Sequence, residues 1–262
     1  MNGAVMDYAL KTEGDFRYIE TGGKGETLLL LHGLFGALSN FKGLLDYFGK
    51  TYNVVVPILP IYEMPLRKVS LKGLLQHIGA FVKHKGYEQM HVLGNSLGGH
   101  LALLFALAYP ERVRSMILTG SSGLFEKAMG STFPKRGDYE YIRKKTEETF
   151  YNPEVATKEL VDEVFDIVNN RLKAIRVIAM AKSAIRNNLE EELPKIKVPV
   201  LLIWGRQDSI TPPFVAEQFH KLLPNSKLVF IEQCGHAPMM EHPKEFAAHL
   251  EAFLDEVREK KR

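Results

Sequence analysis

Apolar positions along this chain follow two spacings. Short runs lie around Tyr8–Lys11 and at Phe16–Glu20, Leu28–Leu31, Tyr52–Leu59, His91–Gly94, Ser115–Thr119, Val200–Trp204 and Leu228–Ile231. Their length and their content of Val, Ile and Leu predict strands. Between them the spacing becomes helical. Ser70 is placed to cap a helix that runs to Lys85 and stops at Gly86, with Leu71, Leu74, Leu75, Ile78 and Phe81 or Val82 on one face. Leu97–Tyr109 reads as a buried helix, and further helices are predicted at Phe214–Leu222 and from Pro243 to Lys260. The cluster Thr21-Gly22-Gly23-Lys24-Gly25 is expected to turn Phe16–Glu20 back onto Leu28–Leu31 as a hairpin.

Strands that alternate with helices, and runs such as Val200-Leu201-Leu202-Ile203 with no polar side, imply an α/β fold with a mostly parallel sheet covered on both faces. Residues 125–194 break the rhythm. They are rich in Lys, Glu and Arg and predict the helices Tyr139–Phe150, Lys158–Asn169 and Leu172–Asn187. The expectation is a helical cap, 125–194, over a core built from residues 1–124 and 195–262.

Composition removes several classes of function. A chain of 262 residues suits one large domain or a domain with an insertion. Its 34 basic and 31 acidic residues are interspersed and leave a net charge of +3, so nucleic acid is not an expected partner. The single cysteine, Cys234, excludes an internal disulfide and a cysteine-rich zinc site. No His, Asp or Glu cluster has metal-ligand spacing, so no metal and no cofactor are expected. The first residues lack the basic start and apolar run of a signal peptide. No stretch approaches the ~18 apolar residues of a membrane span. A cytoplasmic monomer or homodimer acting on a small molecule is expected, without membrane partners.

The chemistry concentrates at Gly94-Asn95-Ser96-Leu97-Gly98-Gly99, where a strand meets a helix. A serine on so sharp a turn is held in a strained backbone conformation with its hydroxyl pushed out at the carboxyl edge of the sheet. The flanking glycines avoid collision with the neighbouring strand and helix. A serine hydroxyl needs a base, and the base needs an orienting acid. His236 follows the last apolar strand and Asp208 the one before it, so both leave the same edge as Ser96. Asp208 also suits the bland role of capping a helix before Pro212. The loop His32-Gly33-Leu34-Phe35-Gly36 follows Leu28–Leu31 at that edge, and the backbone N–H groups of Leu34 and Leu97 are the candidate oxyanion donors. His32, Phe35, Asn40 and Asn95 are candidates for contact with substrate.

These pieces resemble the α/β-hydrolase superfamily over essentially the whole chain. The matching motifs are His32-Gly33, Gly94-Asn95-Ser96-Leu97-Gly98-Gly99, Trp204-Gly205-Arg206-Gln207-Asp208 and Gly235-His236. The resemblance implies about eight mostly parallel strands, a cap inserted after the sixth, and a site between core and cap. His32-Gly33-Leu34-Phe35-Gly36 with a plain triad looks like small bacterial carboxylesterases. Ser39-Asn40-Phe41, Gly94-Asn95-Ser96 and Cys234-Gly235-His236 followed by Glu241-His242-Pro243 look like hydrolases of carbon–carbon bonds in ring-opened aromatic diketones. Those enzymes usually carry a tryptophan where this chain has Ala237, and a cap arginine for which Arg171, Arg176 and Arg186 are the candidates here. The segment from Pro57 to Pro65 departs from both branches.

The expected activity is therefore serine hydrolysis of carboxylic esters, with Ser96 as nucleophile, His236 as base and Asp208 as its partner. The alternatives are a carbon–carbon bond hydrolase of the meta-cleavage-product type and a non-catalytic ligand-binding protein on the same fold, with perhydrolase activity a further option on the same residues.

Overall fold

The side chains of Leu28, Leu29, Leu30 and Leu31 are all fully buried, which an all-leucine run achieves only in the middle of a sheet covered on both faces. The computed structural model describes residues 8–35, 41–125 and 136–260. Among them, one sheet contains β1 (Lys11–Glu13), β2 (Phe16–Glu20), β3 (Thr27–Leu31), β4 (Asn53–Pro57), β5 (Met90–Asn95), β6 (Val113–Thr119), β7 (Val200–Gly205) and β8 (Ser226–Ile231). Their order is β1-β2-β4-β3-β5-β6-β7-β8. The β1–β2 and β2–β4 pairs are antiparallel and the rest parallel.

The helices are α1 (Lys42–Phe48), α2 (Leu71–Lys85), α3 (Leu97–Ala108), α4 (Tyr139–Glu147), α5 (Lys158–Asn169), α6 (Arg171–Arg186), α7 (Pro213–Leu222), α8 (Pro238–Glu241) and α9 (Pro243–Glu259). Alternation along each strand sends successive side chains to opposite faces. Leu29, Leu31, Val55, Val92 and Leu202 share one core with α2, α3 and α7. Leu28, Leu30, Val54, Leu93 and Ile203 share the other with α1 and α9. No helix among the described residues is long and apolar enough to cross a membrane.

One expectation is corrected by the topology. Phe16–Glu20 does not fold back onto Leu28–Leu31, because β4 lies between them, antiparallel to β2 and parallel to β3. The hairpin is instead β1–β2, turning at Gly14 with φ 57°. The glycines serve a crossing and not a tight turn: Gly23 and Gly25 pass so close to the residues leading into β4 that a Cβ would overlap the Tyr52 and Thr51 carbonyl oxygens. The first strand is also later than Tyr8–Lys11. Its residues are polar and exposed, so apolar spacing gave no sign of it.

Helix α2 follows its sequence signals closely. The Ser70 hydroxyl accepts the Gly73 N–H at 3.0 Å, and Gly86 ends the helix in the left-handed region at φ 69°. Helices α4, α5 and α6 stand between β6 and β7 in the chain. The last of them is tied to the core by the Leu71 N–H donating to Ser183 Oγ (3.0 Å) and by Arg176 Nε donating to the Met64 carbonyl (2.9 Å).

The chain runs from β3 to β4 on one side and returns to β5 on the other. A crevice therefore opens beyond the carboxyl ends of β3 and β5, the position at which parallel sheets bind ligands. Helix α3 begins there and lies directly against β3. A Cβ on Gly98 would overlap the Leu31 carbonyl oxygen, whereas one on Gly86 would meet nothing within 4 Å. In urea denaturation, Gly86→Ala is expected to cost about 1–2 kcal/mol, the left-handed penalty alone. Gly98→Ala is expected to cost more than ~3 kcal/mol or to abolish the cooperative transition.

Candidate active site

Strand β5 ends at Asn95 and α3 starts at Leu97, so the chain reverses in a single residue. Ser96 makes that turn at φ 54°, ψ −118°, a strained conformation for a residue with a side chain. Hydrogen bonds hold it there. Its N–H donates to the Thr119 carbonyl (3.1 Å), and its carbonyl accepts from the N–H groups of Gly99 (3.0 Å) and Ser122 (3.1 Å). Added Cβ atoms on Gly94 and Gly99 would overlap the Gly98 carbonyl and the Ser121 hydroxyl, so the glycines are required by contact and not only by turn geometry.

Asp208 and His236 meet at the same edge. Asp208 lies in the loop after β7. Its Oδ1 accepts the N–H groups of Ile210 (2.8 Å) and Thr211 (2.9 Å), and its Oδ2 accepts the Thr211 hydroxyl (2.8 Å). These bonds close the turn 208–211 and do not cap α7, whose N-cap is Pro212 with no side-chain bond; Oδ2 also stands 2.9 Å from His236 Nδ1. A carboxylate can only accept, so Nδ1 carries the proton and the lone pair of the neutral ring is at Nε2. The His236 backbone is fixed at both ends. Its N–H donates to the Thr149 carbonyl (2.9 Å), and its carbonyl accepts from Asn95 Nδ2 (3.3 Å). Gly120, at φ 51°, backs the ring, and a Cβ there would lie 2.8 Å from Nδ1.

Ser96 and His236 both line a cavity of about 320 Å³. Gly33, Leu34, Phe35 and Met240 wall it on the sheet side, and Ile142, Phe150, Leu160, Val168 and Val177 on the side of α4, α5 and α6. Among the described residues Lys145 is the one Lys or Arg on this wall, and it pairs with Glu148 at 2.6 Å. Leu97 is a buried core side chain, so only its backbone N–H, first in α3, is available to the site. The Leu34 carbonyl accepts the Tyr62 hydroxyl. Tyr62 belongs to the Pro57–Pro65 segment, so this unusual stretch clamps the loop after β3.

Some expected substrate contacts are corrected. His32 is turned into the protein. Its Nε2 accepts the Leu59 N–H (2.9 Å), so its Nδ1 carries the proton and donates to the Gly33 carbonyl (2.7 Å). Both nitrogens serve the loop, and none faces the cavity. Asn95 touches the cavity, but its Nδ2 is committed to the carbonyls of Thr119 (3.1 Å) and His236. Asn95 thus braces the serine strand against the histidine loop. Arg176 is used up on the carbonyls of Met64 and Leu172, and neither it nor Arg171 nor Arg186 lines the cavity. Asn40 lies outside the described residues. Thr149, Thr211, Gly120, Tyr62 and Glu241 support the site without having been expected. Cys234 is fully buried, and burial, with Glu241 nearby, pushes its thiol pKa well above the usual range. Among the described residues no group of three His, Cys, Asp or Glu could hold a metal ion.

The sequence profile of the alpha/beta hydrolase fold matches residues 26–243. The chain is 30% identical to a 2-hydroxy-6-oxononadienedioate/2-hydroxy-6-oxononatrienedioate hydrolase of Paraburkholderia phymatum, over 93% of this chain and 92% of that one. It is 27% identical to monoacylglycerol lipase ABHD6 of Bos taurus, over 97% and 83%. Among solved structures, an alpha/beta hydrolase enzyme from the metagenome of sediments of the Mar Chica lagoon, Morocco, is 44% identical, covers 95% of this chain and 98% of its own, and superposes with a TM-score of 0.79.

Two buried histidines around the site govern its behaviour in acid. Desolvation lowers the pKa of His32 to about 4 despite its bond to the Gly33 carbonyl. Desolvation does the same to His100, also to about 4, although its Nε2 donates to the Asn187 carbonyl at 2.8 Å. Both rings are neutral in the folded chain when an unfolded one has begun to protonate. The unfolded state therefore binds more protons between about pH 6.5 and pH 4, and stability falls as pH drops through that window. The thermal unfolding midpoint is expected to hold steady above pH 7 and to decline steadily from pH 6.5 to 4.5. Replacing both residues by Asn should lower the midpoint at pH 7.5 and reduce the acid slope without removing it, because burial also lowers His91 to about 4 and depresses His77.

Proposed function

The chain belongs to the α/β-hydrolase family, and within it we propose a serine hydrolase that cleaves carboxylic esters with apolar acyl groups through an acyl-enzyme on Ser96. The observation that carries this reading is the shared cavity. A strained serine and a histidine already bonded to a buried aspartate open into one space whose far wall is mostly aliphatic and aromatic.

In this reading the Ser96 hydroxyl attacks the acyl carbon while His236 Nε2 takes its proton. Asp208 keeps Nδ1–H directed at itself, which fixes the tautomer and stabilises the imidazolium. The N–H groups of Leu34 and Leu97 receive the oxyanion, helped by the positive end of α3. Imidazolium then protonates the departing alkoxide. Water enters, loses a proton to His236 and releases the acid from Ser96. Helices α4, α5 and α6 act as a lid whose apolar face holds the acyl chain.

A dienoate substrate of the carbon–carbon branch carries a carboxylate, and a carboxylate needs a cation. Among the described residues the only lining cation, Lys145, is paired with Glu148, and Arg176 is bonded to backbone, so this wall favours neutral acyl chains.

Hydrolysis of p-nitrophenyl esters from acetate to octanoate tests the assignment. Each methylene that enters the cavity contributes ~0.8 kcal/mol, so kcat/KM should rise about fourfold per methylene until the chain outgrows the space. Ser96→Ala should reduce turnover by at least ~10⁴-fold and Asp208→Asn by ~10³–10⁴-fold. Faster turnover of a ring-opened dienoate than of any ester would move the chain to the carbon–carbon branch. A folded wild type that neither turns over substrate nor takes a serine-reactive phosphonate at Ser96 would make it a binder.

A further inference from the structure

Glu241 stands in α8, off the cavity wall, and its carboxylate is bonded on both sides. Oε1 accepts the N–H of Gly235, one residue before His236, at 2.7 Å, with the Cys234 thiol 3.9 Å away. Oε2 accepts the N–H groups of Tyr151 (2.8 Å) and Asn152 (3.1 Å), in the turn that follows α4. That turn returns a bond of its own, since the Thr149 carbonyl accepts the His236 N–H. It also reaches the loop of Asp208, where the Ser209 hydroxyl donates to the Glu148 carbonyl at 3.1 Å. The approach is close enough that a Cβ on Gly235 would lie 2.7 Å from the Thr149 carbonyl oxygen and 2.8 Å from the Tyr151 nitrogen. Thr149 and Phe150 meanwhile line the cavity. The segment that holds the histidine loop is thus also a wall of the cavity.

We propose that Glu241 is a positioning residue that locks the histidine-bearing loop to the turn 148–152, so that His236 is aligned for proton transfer only while that turn is seated. The proposal rests on the reading of His236 as the base. A charged acceptor of three backbone N–H groups holds two segments distant in sequence at fixed spacing, and charge-assisted bonds of this kind are short and directional. Glutamine has the same shape but only one acceptor oxygen. Whichever way its amide turns, its NH₂ faces an N–H, donor against donor, and one of the two segments is released.

Three measurements on the full chain test the assignment. In Glu241→Gln, kcat for p-nitrophenyl octanoate should fall 10- to 100-fold while KM changes less than about threefold, because misplacing a reacting group by a fraction of an ångström affects chemistry more than binding. The rate at which a phosphonate modifies Ser96 should fall in parallel. The matched control is Asn53→Ala, which removes bonds to the Gly22 N–H and the Glu20 carboxylate at the start of β4, at the edge of the sheet opposite the cavity. It should lower the unfolding midpoint comparably and leave kcat within twofold of wild type. Backbone amide exchange needs no turnover. Gly235 together with Tyr151, or Gly235 alone, or Tyr151 and Asn152 alone, should exchange at least tenfold faster in Glu241→Gln. Unchanged exchange at all three amides, wild-type kcat in Glu241→Gln, or an equal loss of kcat in Asn53→Ala would each overturn the role. Absence of ester turnover and of Ser96 labelling in the wild type would instead strike the reaction assignment, and the exchange rates would still decide whether Glu241 holds the two segments together.

Discussion

The approach of α3 to strands β3 and β5 leaves no room for a Cβ at Gly94, Gly98 or Gly99, and the geometry of the site follows from that contact. With the helix pressed against the sheet, the chain has one residue in which to turn, and that residue must take a positive φ. Ser96 does so because its neighbours decide its backbone for it: Thr119 and Ser122 from β6 and beyond, Gly99 from the helix. The cost of such a conformation is on the order of 1–3 kcal/mol, supplied by the burial of nearly every side chain from Leu97 to Ala106. Strain at the serine is therefore a by-product of good packing behind it.

Around this fixed point the polar groups are buried in a connected arrangement with few loose ends. Asp208 spends three bonds on its own turn before it meets His236. The imidazole is then braced through its backbone by Thr149 and Asn95 and backed by Gly120. His32 and Tyr62 perform the equivalent task for the loop after β3, both tying it to the segment 57–65. A buried polar group left half-satisfied costs more than an apolar one, so each member depends on the presence of the others. The cavity wall contributed by α4, α5 and α6 obeys a different rule. Its lining is mostly apolar, and it joins the network at the turn after α4, where the Thr149 carbonyl accepts the His236 N–H.

Much of this was legible in the chain because it depends on local signals. The Ser70–Gly86 helix announces both of its ends, the all-leucine run of β3 announces a central strand, and the glycine spacing around Ser96 announces the turn. Asp208 and His236 could be matched because each follows an apolar strand, and parallel strands deliver their following loops to one edge. What stayed hidden depends on direction and distance. A sequence places His32 and Asn95 beside the site but does not say which way their side chains point, and both turn out to bond backbone. It gives no sign that Glu241 meets Tyr151, because that contact joins segments remote in the chain. The β4 insertion between β2 and β3 was missed for a related reason: a glycine cluster permits a tight turn and a wide crossover equally well.

Cys234 gives the molecule a clock. It is the only thiol in the chain, it is shut away from solvent, and burial keeps it in the protonated, unreactive form. A thiol reagent added to the folded protein can be consumed only through openings that uncover the loop between β8 and His236. The rate of that consumption counts how often this corner of the molecule comes apart, residue by known residue, without any label having to be introduced.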